Sequence, residues 1–343
     1  MPPVLETGAV VIGAGPVGLF QVFQLGLLEV PTHVIDALPH AGGQCMELYP
    51  DKPIYDIPGI PATTGRQLVA SLQQQIKPFH TQFHFGQQVS QIDKQADGRF
   101  LLQTAHGTQW LAPVVIIAAG VGAFQPRRLK LDGIQAFEGS QLHYHAAPQK
   151  VAGQNIVVVG ADEAALQCAL HLANGSAHSV TLLHRRDVLQ APMADIAEMQ
   201  MQVSAGRMRF LVGQLAGFSA QDGQLTGLDV SDVDAALQHI PADQLSVFQG
   251  LSPKLGPVAD WGLAMERKQL QVDSARFETS EAGIFAVGDI NTYPGKQKLI
   301  LCGFHEATLA AYAAAPMVFP DKKIPFQYTT TSPRLHQLLG VAK

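Results

Sequence analysis

Several things are scarce in this 343-residue sequence. Cysteine occurs three times, at Cys45, Cys168 and Cys302, which are too far apart for a CxxC pair, a zinc spacing or a disulfide framework. Each thiol is expected to be a buried small hydrophobe, and a reducing cytoplasm is the expected setting. Positive charge is not in excess. The formal net charge of −5 gives no electrostatic reason to bind nucleic acid. No run approaches the ~20 apolar residues that span a bilayer. The longest candidate, 111–124, is broken by Pro113, Gly120 and Gly122 and reads as a buried strand entering a loop. No basic leader precedes the first apolar run, so no secretory signal is expected. The thirteen histidines are scattered, and no Ser-His-Asp, Cys-His or metal-ligand spacing stands out.

Alternating strand-like and helical runs are present, and they predict α/β architecture with parallel sheets. Residues 9–12 read as a strand, 16–28 as a helix and 33–36 as a second strand. A new cycle begins with a strand at 155–159, a helix at 163–173 and a strand at 179–184. Each cycle has the size of half a Rossmann fold. Between them, 85–117 alternates in polarity around Asp97-Gly98, a hairpin signal. A late helix is expected at 305–315, and the last twenty residues show no periodicity.

The first cycle carries Gly13-Ala14-Gly15-Pro16-Val17-Gly18 between its strand and its helix. Gly13 permits the tight turn, Gly15 admits a pyrophosphate against the backbone, and Gly18 allows close helix–strand contact. Asp36, ending the second strand, is placed for ribose hydroxyls. Gly42-Gly43-Gln44 suggests backbone passing close to a bulky ligand, and Tyr49 is either a core aromatic or a ring stacked on a flavin. Later, the strand before Gly288-Asp289 delivers an acid into a turn, suited to the middle of an extended dinucleotide.

The second cycle departs from the pattern. It reads Gly160-Ala161-Asp162-Glu163-Ala164-Ala165, with Asp162 where the central glycine belongs. A carboxylate there either repels a pyrophosphate or points away from it. The following strand ends in His184-Arg185-Arg186, and two guanidinium forks at the adenosine ribose favour a 2′-phosphate, hence NADP.

With these pieces the chain resembles the thioredoxin-reductase-like ferredoxin–NADP reductases nearly end to end. The shared segments are GAGPVG (13–18), GGQCMELYPDKPIYDIPG (42–59), AAGVGAFQPRRL (118–129), LHRRD (183–187), GLSPKLGPVADWGL (250–263), GIFAVGDI (283–290) and YPGKQKLILCGFHEA (293–307). The resemblance implies two Rossmann-like, three-layer ββα nucleotide-binding domains of the FAD/NAD(P)-binding fold. Residues 1–120 and 247–343 would form a discontinuous FAD-binding domain, and 121–246 an NADP-binding domain.

The resemblance also implies site residues. Asp36 would bind the adenosine ribose, Gln44 and Tyr49 the isoalloxazine, and Val89 the adenine through its backbone. Phe124 and Asp289 would meet the flavin and the ribityl–pyrophosphate region. The tail would cover the flavin of a partner subunit in a homodimer, with Tyr328 stacking and Thr330 hydrogen-bonding. Arg185 and Arg186 would hold NADP. Ala164 and Gln190 depart from the serine and arginine of the pattern. A true thioredoxin reductase has CxxC where this chain has His143-Tyr144-His145-Ala146, so no dithiol relay is expected.

The implied activity is hydride exchange between nicotinamide C4 and flavin N5, coupled to single-electron exchange with ferredoxin. Such an enzyme needs no nucleophile or dedicated acid–base pair, and His305, starting the late helix, would bring a helix N-terminus toward reduced flavin. Ferredoxin is acidic, which makes Arg127, Arg128, Lys130, Lys296 and Lys298 candidates for docking. Two alternatives remain open at the level of sequence. One is a flavin oxidoreductase with another acceptor, such as flavodoxin, rubredoxin or a quinone. The other is a non-catalytic FAD-binding redox sensor.

Overall fold

The computed structural model describes residues 3–341, with side chains for all of these except Phe124, Gln125, Leu251 and Pro253. It contains two compact units, one formed by Met1–Phe124 with Pro253–Lys343 and the other by Gln125–Ser252.

The discontinuous unit is built on a five-stranded parallel sheet in the order Ile284–Ala286, Val114–Ile117, Ala9–Ile12, Thr32–Ile35, Gln82–His84. Its central strand is AVVI, buried throughout, and the period-2 alternation of side chains divides the core in two. Ala9 and Val11 face helices Pro16–Leu27, Gly65–Ile76 and Ile300–Val318. Val10 and Ile12 face a second sheet, whose Phe100, Leu102 and Trp110 are fully buried. Burying a Val or Ile side chain is worth roughly 1.5–3 kcal/mol, so both faces of this sheet must be covered. The second sheet holds the expected hairpin, in which Val89–Lys94 pairs antiparallel with Phe100–Thr104 around Asp97-Gly98.

The continuous unit repeats the plan. A five-stranded parallel sheet runs Leu142–Tyr144, Gln244–Phe248, Asn155–Gly160, Ser179–His184, Arg209–Val212. Ile156 and Val158 pack under helices Glu163–Ala173 and Met193–Ser204. Val157 and Val159 pack on the other face against a three-stranded antiparallel sheet, Gln214–Gln221, Gln224–Ser231 and Leu237–Pro241. Each unit is therefore a three-layer ββα sandwich, as the sequence implied.

Two expectations need correction. The late helix runs from Ile300 to Val318, so His305 lies within it and not at its start. Its first turn contains Gly303. In the structure it lets the helix press on Pro16–Leu27, since a Cβ there would come within 2.3 Å of Val17 Cγ2. The aperiodic tail also contains a helix, Pro333–Leu338, capped by the Ser332 hydroxyl, which accepts the Leu335 N–H at 3.3 Å.

Candidate functional site

In a parallel sheet the loops leaving the carboxyl ends of the strands gather along one edge, and that edge is where ligands bind. In the discontinuous unit these loops are Gly13–Gly15, Asp36–Leu38, Gln87–Val89, Ala118–Gly122 and Val287–Asp289. They line one cleft. At ~4.8 Å per strand, five strands give an edge long enough for an extended dinucleotide.

The three loop glycines do different work. Gly13 has φ +109°, and a Cβ there would lie 2.4 Å from the Ala118 carbonyl oxygen. A Cβ on Gly18 would lie 1.9 Å from the Gly13 carbonyl oxygen. Both serve the turn and its packing. Gly15 differs, because a Cβ there would meet no atom within 4 Å. Bare backbone at Gly15 thus faces open cleft. Gly15 also caps helix Pro16–Leu27, which has no side-chain cap and no acid in its first turn. Its unpaired N–H groups and positive dipole end are free for an anion.

Asp36 closes the far side of this loop. Its carboxylate accepts the Ala14 N–H at 2.6 Å and the Leu38 N–H at 2.8 Å. Burial nevertheless raises its pKa, with those two N–H groups opposing the shift. Val89, also buried, stands beside it in the lining with Gln87 and Gln88.

At the other end, helix Gln44–Leu48 follows Gly43, whose Cβ would touch Gly15 Cα at 3.1 Å. Gln44 Nε2 donates to Asp289 Oδ2 at 3.0 Å, joining segments 245 residues apart. Tyr49 and Cys45 line the same end, and the Cys45 thiol donates to the Tyr49 hydroxyl at 3.6 Å. Burial pushes both groups up, so the phenol and the thiol stay protonated at neutral pH.

Glu306 was not singled out from sequence, and it anchors this end. It is fully buried and accepts hydrogen bonds from the Gly288 N–H (2.7 Å), Asn291 Nδ2 (2.8 Å), the Tyr293 hydroxyl (2.9 Å) and Lys296 Nζ. Lys296 Nζ also donates to the Gly288 carbonyl oxygen at 2.9 Å. Lys296 is therefore no docking residue, since its charge is neutralised inside the protein. Arg128 is likewise engaged, forming a two-pronged ion pair with Glu138 at 2.6 and 3.0 Å. No periodicity marks Glu306 as buried, because it sits in an alanine-rich helix that is apolar on most sides.

The structure thus brings Gly13, Gly15, Asp36, Gln44, Tyr49, Val89 and Asp289 to one cleft, with Gly18 beneath it. The Phe124 side chain lies outside the described residues, although its backbone continues strand Ala123–Pro126. Tyr328 and Thr330 are exposed and do not line the cleft of their own chain.

The second loop has a different design. Asp162 caps helix Glu163–Ala173 in extended conformation, and its Oδ1 accepts the Ala165 N–H at 2.9 Å. Gly160 allows this helix to sit tightly, since a Cβ there would lie 2.6 Å from Ala165 Cβ. Gln190 donates its backbone N–H to the Ala161 carbonyl oxygen at 2.7 Å. Arg185 and Arg186 are exposed just past strand Ser179–His184. The His184 imidazole is held below its usual pKa range by burial and then by these two charges.

Comparison with known proteins agrees with this architecture. Residues 7–314 match the profile of the pyridine nucleotide-disulphide oxidoreductases. A ferredoxin–NADP reductase of Albidiferax ferrireducens is 57% identical over 98% of this chain and 96% of its own length. One from Methylibium petroleiphilum is 55% identical over 98% of this chain and 93% of its own. Among solved structures, thioredoxin reductase of Lactococcus lactis superposes with a TM-score of 0.56 at 22% identity, covering 92% of this chain and 99% of that one. Bacillithiol disulfide reductase of Staphylococcus aureus gives 0.59 at 14% identity, covering 93% and 100%. At such identities the two structures speak for the fold alone.

Proposed function

The chain belongs to the pyridine nucleotide-disulphide oxidoreductase family, and from that premise we propose that it is an FAD-dependent ferredoxin–NADP reductase. The observation that carries this reading is the cleft whose bare Gly15 backbone meets an uncapped helix N-terminus at one end and the Gln44–Asp289 pair at the other. The identity of 55–57% over nearly the whole chain to reductases of that name supports it.

FAD, when bound, supplies two-electron exchange with a nicotinamide and one-electron exchange with an iron–sulfur carrier. The chain binds and orients it. Gly15 with the helix end would hold the pyrophosphate on the turn that Gly13 and Gly18 shape, Asp36 would hold the ribose, and the Val89 backbone the adenine. Gln44, Tyr49, Phe124 and Asp289 hold the flavin end. The protonated Cys45 and Tyr49 leave no thiolate or phenolate beside the ring.

Arg185 and Arg186 select NADP through its 2′-phosphate. In a homodimer, the exposed Tyr328 and Thr330 cover the partner's cofactor. Arg127, Lys130 and Lys298 contribute to a face for acidic ferredoxin. No helix among the described residues is long and apolar enough to cross a membrane, and the proposed setting is cytoplasmic.

Anaerobic mixing of the FAD-loaded protein with NADPH tests the reading. Prompt bleaching of the flavin, followed by ferredoxin-dependent reduction of cytochrome c, is the expected outcome. Oxidised flavin persisting at millimolar NADPH would overturn it. Bleaching with no transfer to ferredoxin would replace ferredoxin by another acceptor.

A further inference from the structure

The two glycine loops differ in one atom-level respect. At Gly15 the helix N-terminus carries no side-chain cap, and its donors face open cleft. At Asp162 the corresponding donors already have a carboxylate of the chain itself, with Oδ1 on the Ala165 N–H. A dinucleotide pyrophosphate seeks the same N–H groups and the same dipole end. It must displace or approach a negative charge to reach them. The neighbouring acid does not relieve this, because Glu163 accepts from Gln167 Nε2 at 3.1 Å and adds further negative charge to the first turn.

We propose that Asp162 is an affinity-setting residue of this nucleotide site: it weakens the pyrophosphate contact, so that Arg185 and Arg186 supply a larger share of the binding that remains. This rests on the reading of the continuous unit as the NADP(H) domain. The pyrophosphate is common to NAD and NADP, and only the 2′-phosphate separates them. Occupying that anchor with a carboxylate removes affinity common to both ligands. The NADP-over-NAD ratio stays as the 2′-phosphate sets it, while the affinity for both nucleotides falls. Two exposed guanidinium groups, close enough to depress the His184 imidazole, supply the required cationic corner.

The test is calorimetric titration of NADP⁺ and NAD⁺ into the FAD-loaded protein and its Asp162→Asn and Asp162→Ser variants. Asn and Ser cap a helix as well as Asp does, so the fold is retained and only the charge is lost. Unchanged thermal midpoints verify this. Both variants should bind NADP⁺ and NAD⁺ about tenfold more tightly, the effect of relieving about 1.4 kcal/mol of repulsion. Adenosine 2′-monophosphate, which lacks a pyrophosphate, should bind all three proteins equally. Unchanged or weaker NADP⁺ binding in the variants overturns the role of Asp162. Equal tightening of adenosine 2′-monophosphate also overturns it, since the charge would then act on the whole corner. Failure of NADP⁺ and of the monophosphate to bind any of the three proteins would instead remove the reading of the unit as an NADP(H) domain.

Discussion

Glu306 accepts the backbone N–H of Gly288 at 2.7 Å while sharing its charge with Lys296, whose side chain is only 6% exposed. The turn that presents Asp289 to the cleft is thus fixed by a buried ion pair on the last long helix. Glu306→Gln leaves the lysine charge buried without a counter-charge, which costs about 3 kcal/mol or more. Urea denaturation should show this loss together with weakened FAD retention. Glu306→Gln combined with Lys296→Met should recover much of the stability. A double variant no more stable than the single one would contradict the pairing.

The glycines of the first loop should separate on substitution. Gly15→Ala introduces a methyl group into open space, so apoprotein stability should change by no more than about 0.5 kcal/mol. FAD affinity should fall markedly, because the methyl occupies the approach to the backbone. Gly18→Ala places a Cβ 1.9 Å from a carbonyl oxygen and should destabilise apoprotein and holoprotein alike. Thermal unfolding of the apoproteins alongside fluorimetric FAD titration distinguishes the two. A Gly15→Ala protein that binds FAD normally would argue against a ligand at that loop.

The discontinuous unit should lose stability in mild acid. His33 Nδ1 lies 3.1 Å from Trp110 Nε1, which can only donate, so this nitrogen is an acceptor and unprotonated. His84 Nε2 lies 3.2 Å from the same atom. Burial lowers both imidazoles from 6.5, and for His33 the neighbouring His84 adds to the effect. With the folded pKa below the unfolded one, the stability is present above pH 6.5 and is lost as pH falls toward the folded value. Melting temperatures between about pH 7.5 and 5 should fall for the native protein and fall less for His84→Phe. Parallel slopes would remove the pair as the cause.

Arg185→Ala and Arg186→Ala should raise KM for NADPH while leaving that for NADH nearly unchanged. A charge-assisted hydrogen bond is worth about 1.5–3 kcal/mol, so the NADPH-over-NADH ratio of kcat/KM should fall by about tenfold or more for each. Steady-state kinetics with both nucleotides provides the check. An equal effect on the two nucleotides would assign these arginines another role.

Much of this protein was legible in its sequence because the relevant physics is local. Gly13–Gly18 after the AVVI strand specifies a turn that only glycine can make, and the uninterrupted apolar run Ala9–Ile12 marks a strand buried on both faces. The Glu163–Ala173 helix was equally plain, since its apolar spacing lies within a dozen residues. What depended on distant partners was hidden. Lys296 read as a docking charge and Glu306 was not singled out until packing buried them together, and the Gln44–Asp289 hydrogen bond joins positions 245 residues apart that no local pattern links. Asp162 shows the division most clearly. Its presence in place of glycine was visible in the sequence. Whether its carboxylate turned away or capped the helix depended on backbone dihedrals, and the tertiary structure decided for the cap.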